Sequence, residues 1–279
     1  MDSTWIRVVL PATVGGALLL SGAVTYLTRY RATPQAPYQP RVAWTRASIY
    51  FGVCWLVSAA VGTWGRIVTE PVATAAQRSD GTWLLWTAGV VALIVVAYPV
   101  VWARWTLTFD RRSRVLAQLG FGIVWGLSAG QLLASYFVLA ERTGWPRWGV
   151  WLLAWGLIGA WQGMFQDLFW DVWVTPEHDT PTTIRTKVAA CHIPNVTFTL
   201  TYLVLFGNVA IFVGLQTLAL CSAALAMRFP AWNEAGPVLA PTTGPGPFGI
   251  LRASGYLTDD PHPYRTQRLA RRAAAVSPS

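Results

Sequence analysis

Apolar positions in this chain come in long runs with few polar interruptions, without the two-residue or four-residue alternation of a half-buried surface element. They cover Val8–Leu27, Ala47–Trp64, Trp83–Ala103, Val115–Leu139, Trp148–Trp173 and Ile193–Met227. A bilayer core about 30 Å thick needs roughly 20 such residues in one helix. A backbone facing lipid must satisfy its own hydrogen bonds, so the runs predict helices rather than open strands. The last run holds 35 residues, which as one helix would reach about 52 Å. Gly207-Asn208 near its middle is a turn signal that would divide it into two, so the count of spans is six or seven. The expectation is an all-α polytopic membrane protein, a bundle of six or seven transmembrane helices over residues 1–228, followed by a basic, disordered tail over residues 229–279.

Composition agrees. The 279 residues are 54% hydrophobic and only 12% charged, about half the charge of an ordinary soluble domain. The first run has no small-residue cleavage site after it, only Thr28-Arg29-Tyr30-Arg31, and reads as a retained helix rather than a signal peptide. Pro, Gly and Ala dominate the tail, including Pro241-Thr-Thr-Gly-Pro-Gly-Pro247.

Charge sets the expected orientation. The loop Arg29–Arg46 carries four arginines and no acid, and Arg104–Arg114 carries four against Asp110 alone. The positive-inside rule makes both cytoplasmic. The near-balanced loops Arg66–Thr82 and Ala140–Arg147 then lie outside. The N-terminus is expected outside and the arginine-rich tail inside, in the cell membrane, which favours seven spans. The net charge of +9 is split among short loops and the tail. Attraction to anionic lipid explains it, and no basic aromatic face for nucleic acid exists. Arg is twenty-fold commoner than Lys, with Lys187 the only lysine, a mark of a GC-rich genome. Cys54, Cys191 and Cys221 are too widely spaced for a disulfide framework or a metal knuckle. They read as small core residues.

The polar exception is Gln162–His192. It brings Gln162, Gln166, Asp167, Asp171, Glu177, His178, Asp179 and His192 to the end of a tryptophan-rich span. Ionisable groups at membrane depth are costly unless they face a cavity or a partner, so the cluster marks a candidate site. Helical spacing puts Gly163, Asp167 and Asp171 on one stripe. Two carboxylates one turn apart in a low dielectric share a proton, which sets acid and base side by side. The expected catalytic residues are Asp167, Asp171 and Glu177. Gln162, Gln166 and Gln131, with Trp161, Trp170 and Trp173, are expected to bind substrate, since indole faces stabilise cations. The structural alternative pairs Asp167 or Asp171 with Arg66, Arg185 or Lys187 and makes the indoles a membrane belt. Trp148, Trp151 and Trp155 follow helical spacing and are expected to pack. Arg66 and Glu70, one turn apart, are expected to form an interfacial ion pair.

Trp170-Asp171 followed by Pro176 is similar to the Trp-acid pair of the small integral-membrane terpene cyclases of meroterpenoid pathways. That resemblance implies seven helices and proton-initiated cyclisation or isomerisation of an isoprenoid, with no cofactor. The family's second acid lies near its final helix, whereas Thr197–Met227 contains no acid. The alternative is an iron- or copper-binding oxidoreductase or monooxygenase subunit holding metal with Asp171, His178 and His192. Asp171–His178 is similar to a stretch in the third subunit of particulate copper monooxygenases, over eight residues. The histidine boxes of membrane di-iron hydroxylases are absent. A proton-coupled transporter is the third reading, in which the cluster acts as a relay. Expected partners are membrane lipid or a lipophilic small molecule, and other membrane proteins.

Overall fold

The computed structural model describes residues 40–102, 114–173 and 188–227. Among them every regular element is helical. In chain order these are α1 (Pro40–Val61), α2 (Thr63–Thr69), α3 (Ala75–Ser79), α4 (Gly81–Val96), α5 (Val115–Glu141), α6 (Arg147–Trp173), α7 (Ile193–Phe206) and α8 (Val209–Met227). Two π-helical segments adjoin them, Ala97–Trp102 after α4 and Val188–His192 before α7. Of α6 beyond Gln162, only the helical backbone is described.

Among the described residues three helices are long and apolar enough to cross a membrane: Gly81–Val101, Val115–Glu141 and Val209–Ala226. A fourth span exists if Ala47–Val61 and Thr63–Thr69 count as one, although they meet at 86°. The predicted span Ala47–Trp64 is therefore broken near its end, at Gly62, whose φ is 84°. Val8–Leu27 and the tail beyond Met227 lie outside the described residues.

The last apolar run is a hairpin. Gly207 ends α7 in the left-handed conformation, φ 72°, which glycine adopts without a Cβ penalty. Gln216 Nε2 then donates to Thr199 Oγ1 at 2.8 Å. In one straight helix these residues would stand about 25 Å apart. Only a chain that folds back at Gly207-Asn208 brings them together.

Other contacts fix the helix directions. α5 runs antiparallel to α8, with Gly122, Gly126 and Gly130 set against Cys221, Thr217 and Val213 in turn. α1 runs parallel to α5, since Trp44 meets Phe121, Tyr50 meets Trp125, and Arg142 just past α5 donates to the Val61 carbonyl. α6 runs antiparallel to α7 through two indole bonds, Trp151 Nε1 to Thr201 Oγ1 at 3.0 Å and Trp155 Nε1 to Thr197 Oγ1 at 3.2 Å. α4 starts beside Asn208 and finishes at His192, because Trp83 bonds the first and Tyr98 the second. The turns at 62–80, 142–146 and 207–208 thus gather at one end, here the Asn208 end. Pro40, Met227 and the C-terminal end of α6 lie toward the other, the His192 end.

The core is built around α5, whose residues Leu132–Ala140 are buried without a break. All three cysteines are buried and none forms a disulfide, in keeping with a core role.

Candidate functional site

The two π-helical segments meet at the His192 end and bring a polar group into the apolar interior. Each lies beside a proline, Pro99 within the first and Pro194 just after the second. Proline has no N–H and displaces the preceding turn, and π-bulges recur at functional sites. Tyr98 Oη lies 3.2 Å from His192 Nδ1, and Asn195 Nδ2 donates to the same phenol oxygen at 3.2 Å. Cys191 Sγ reaches the Ala97 carbonyl, also at 3.2 Å, and ties one segment to the other. Tyr98 and Asn195 are buried, with 3% and 1% of their surface exposed, and His192 is half-buried.

The network continues along α7. Thr199 Oγ1 donates to the Asn195 carbonyl at 2.6 Å and accepts from Gln216. A hydroxyl both gives and takes. Tyr98 oxygen accepts from the Asn195 amide and stands within hydrogen-bond distance of His192 Nδ1, where the imidazole tautomer decides which of the two donates. The bond to Tyr98 orients the asparagine amide. Its Oδ1 is buried and has no hydrogen-bond partner among the described residues.

An aromatic wall stands at the same level. Tyr50 packs on Trp125 at 4.8 Å between centroids and stacks on Trp161 at 6.3 Å, and Trp125 stacks on Phe121 at 5.2 Å. The α6–α7 register set by Trp151 and Trp155 places Trp161 level with Cys191 and Gln162 level with Ala190.

The predicted residues divide as follows. Trp161 is in the core wall, 2% exposed. Gln162 is half-buried, and its Oε1 is enclosed without a partner among the described residues. α6 stays helical through Trp173, so Asp167 and Asp171 keep their one-turn spacing. The side chains of Gln166, Asp167, Trp170, Asp171 and Trp173, and the whole of Glu177, His178 and Asp179, lie outside the described residues. Gln131 is buried at 1%, and its Oε1 also lacks a partner among them. The α5–α8 and α7–α8 registers set it about two turns from the level of Asn195, toward the Asn208 end. The fold therefore does not bring it to His192.

Arg66 lies at the Asn208 end, far from α6's acidic end. Its Nε bonds Glu70 at 2.7 Å, as the sequence spacing predicts, and its Nη1 bonds Glu141 at 2.6 Å. Burial opposes its charge, and the two carboxylates outweigh burial, so its pKa is raised. Trp151 and Trp155 do pack, stacked at 6.1 Å, whereas Trp148 is 69% exposed.

No family model, curated protein or solved structure matches this chain. Its chemistry must be read from its own residues. Among the described residues no group of three or more His, Cys, Asp or Glu is placed to hold a metal. Neither Tyr98 nor Asn195 was among the residues expected at the site, Pro194-Asn195 being read only as a helix start. The signal was present: Tyr98-Pro99 and Pro194-Asn195 each place a hydrogen-bonding side chain next to a helix-perturbing residue inside an apolar run.

Proposed function

We propose that this chain is a seven-span integral membrane enzyme, its N-terminus outside and its tail cytoplasmic. It acts on a lipophilic substrate of isoprenoid class by intramembrane acid–base chemistry. The observation that carries this reading is the Tyr98–His192–Asn195 group, with Tyr98 and Asn195 buried and His192 half-buried. It sits where two π-helical segments meet, at the end of the bundle to which α6 delivers Asp167 and Asp171. Buried polar groups in lipid are costly and mark sites of work.

In this reading Asp171 donates a proton to a substrate double bond and Asp167 holds its partner charge. Trp161 and the neighbouring aromatic faces steady the carbocation while water is excluded. A proton lost from the rearranged cation returns to the carboxylate pair. Product and substrate then have the same formula, as in a cyclisation or isomerisation. Tyr98, His192 and Asn195 orient the polar end of the substrate.

The test is conversion of prenylated substrates by the purified protein, wild type beside Asp171→Asn, followed by chromatography and mass spectrometry. An isomeric product that falls by about 10²–10⁴-fold in the variant supports the reading. Undiminished turnover by Asp171→Asn sinks it. Stoichiometric iron or copper that is lost in both His178→Ala and His192→Ala would replace it with the oxidoreductase reading.

A further inference from the structure

We infer that α1 and α5 enclose a water-binding site between Ser58 and Tyr136, behind the aromatic wall, and that the bound water clasps the two helices together. The site is separate from the Tyr98–His192–Asn195 group, and it stands or falls apart from the proposed chemistry.

The first observation is an exception within the protein. Thr87, Ser128, Ser135, Thr199, Thr201 and Thr217 each donate a hydroxyl to the carbonyl one turn back in their own helix. Ser58 lies inside α1, is 0% exposed and makes no such bond. Its Oγ is enclosed without a partner among the described residues. The Tyr136 phenol, 1% exposed, is in the same condition, whereas Tyr98 and Tyr202 are bonded. Enclosed hydroxyls without partners are rare in native proteins, and at membrane depth no bulk water relieves them.

The second observation is that these two hydroxyls face one seam. Counted forward from the Tyr50–Trp125 contact, Ser58 stands opposite position 133 of α5; counted back from Val61 and Arg142, it stands opposite position 139. Tyr136 lies between. It follows Trp125 by 11 residues, close to three full turns, so both stand on the face of α5 turned to α1. Ser58 follows Cys54 by one turn, and Tyr136 interacts electrostatically with Cys54 and with Tyr50. The Tyr50 hydroxyl in turn meets the Trp161 indole. Ser58 and Tyr136 thus close the seam from opposite helices without bonding each other. Each hydroxyl can both donate and accept. A ligand that satisfies the pair must do the same. It must also fit a site with no exposed surface and carry no charge, which neither hydroxyl could balance. Water meets all three conditions and bridges buried polar groups in this way.

The experiment exposes the full-length protein in lipid nanodiscs to a short X-ray pulse. Ionised water yields hydroxyl radicals that label the side chains beside it, and mass spectrometry reads the label. Tyr136 is expected to be labelled several-fold faster than Tyr202, which is equally buried but bonded to Thr87. Labelling of Tyr136 no faster than that of Tyr202 overturns the inference without any variant having to fold. Thermal unfolding supplies a second readout. Ser58→Ala and Tyr136→Phe should each lower the midpoint by a few degrees. The double variant should fall no further than the worse single one, because both act through one water. In a dry seam either change removes a stranded group and leaves the midpoint level or raises it. Midpoints that hold or rise, or falls that simply add, overturn the water bridge. Neither readout involves turnover, so failure of the proposed chemistry leaves both intact.

Discussion

A Cβ on Gly126 would stand 2.5 Å from the Cα of Thr217. No side chain is compatible with that approach, because the obstructing atom is backbone. Gly122 and Gly130, one turn to either side, meet Cys221 and Val213 at 2.8 and 3.0 Å. Small residues at four-residue spacing let two membrane helices come close enough for dispersion and weak Cα–H contacts to hold them. Gly126→Leu should therefore force α5 from α8 and cost about 1–3 kcal/mol. Gly156→Ala, where a Cβ meets nothing within 4 Å, should be neutral or slightly stabilising. Thermal unfolding of the two variants in one detergent decides. A Gly126→Leu protein as stable as wild type would mean that the helices do not pack this way.

Asn208 ties the hairpin to the segment before α4. It exchanges two bonds of 3.1 Å with the amide of Gln77, accepts from Trp83 Nε1 at 3.0 Å and donates to the Val72 carbonyl at 3.2 Å. Asn208→Ala leaves the buried indole N–H without its acceptor, for a loss of about 3 kcal/mol. Gln77→Ala removes only part of the network and should cost less. Chemical denaturation that finds Gln77→Ala the more damaging change would refute this ranking.

Arg66, Glu70 and Glu141 join α2 to the end of α5 in a half-exposed network. Each pair in such a place contributes about 0.2–1 kcal/mol. A double-mutant cycle with Arg66→Met and Glu141→Gln should return a coupling in that range, shrinking as salt is raised from 0.05 to about 0.5 M through screening. Coupling that is insensitive to salt would show the pair to be more enclosed than its geometry implies.

The Thr199–Gln216 bond crosses the hairpin inside the core, where both side chains are at most 3% exposed. Thr199→Val strands the glutamine amide and should cost about 1–3 kcal/mol. Adding Gln216→Leu removes the stranded group, so the double variant should recover much of that loss. Strict additivity of the two changes would argue against the contact.

A large part of this protein is written in its hydrophobic runs. The helical class, the boundaries of α5 and α6, the turn at Gly207-Asn208, the helix start at Pro194 and the Arg66–Glu70 pair all follow from local signals: run length, turn residues and one-turn spacing. Each depends on neighbours within a few positions. The glycine spacing of α5 was legible as well, but what lies opposite was not. The sequence has many small residues, and only the antiparallel register with α8 selects Gly122, Gly126 and Gly130.

The bend at Gly62 and the meeting of two π-helical segments were decided by tertiary structure alone. So were the second acid at Arg66, the role of Asn208 and the grouping of Tyr98, His192 and Asn195. These residues come from segments up to 141 positions apart. Apolar runs on their own specify no register between helices, because one hydrocarbon face packs against another in many alignments. Register is chosen by the few features that tolerate only one partner, a missing Cβ or a buried polar atom. The same features set out the candidate site.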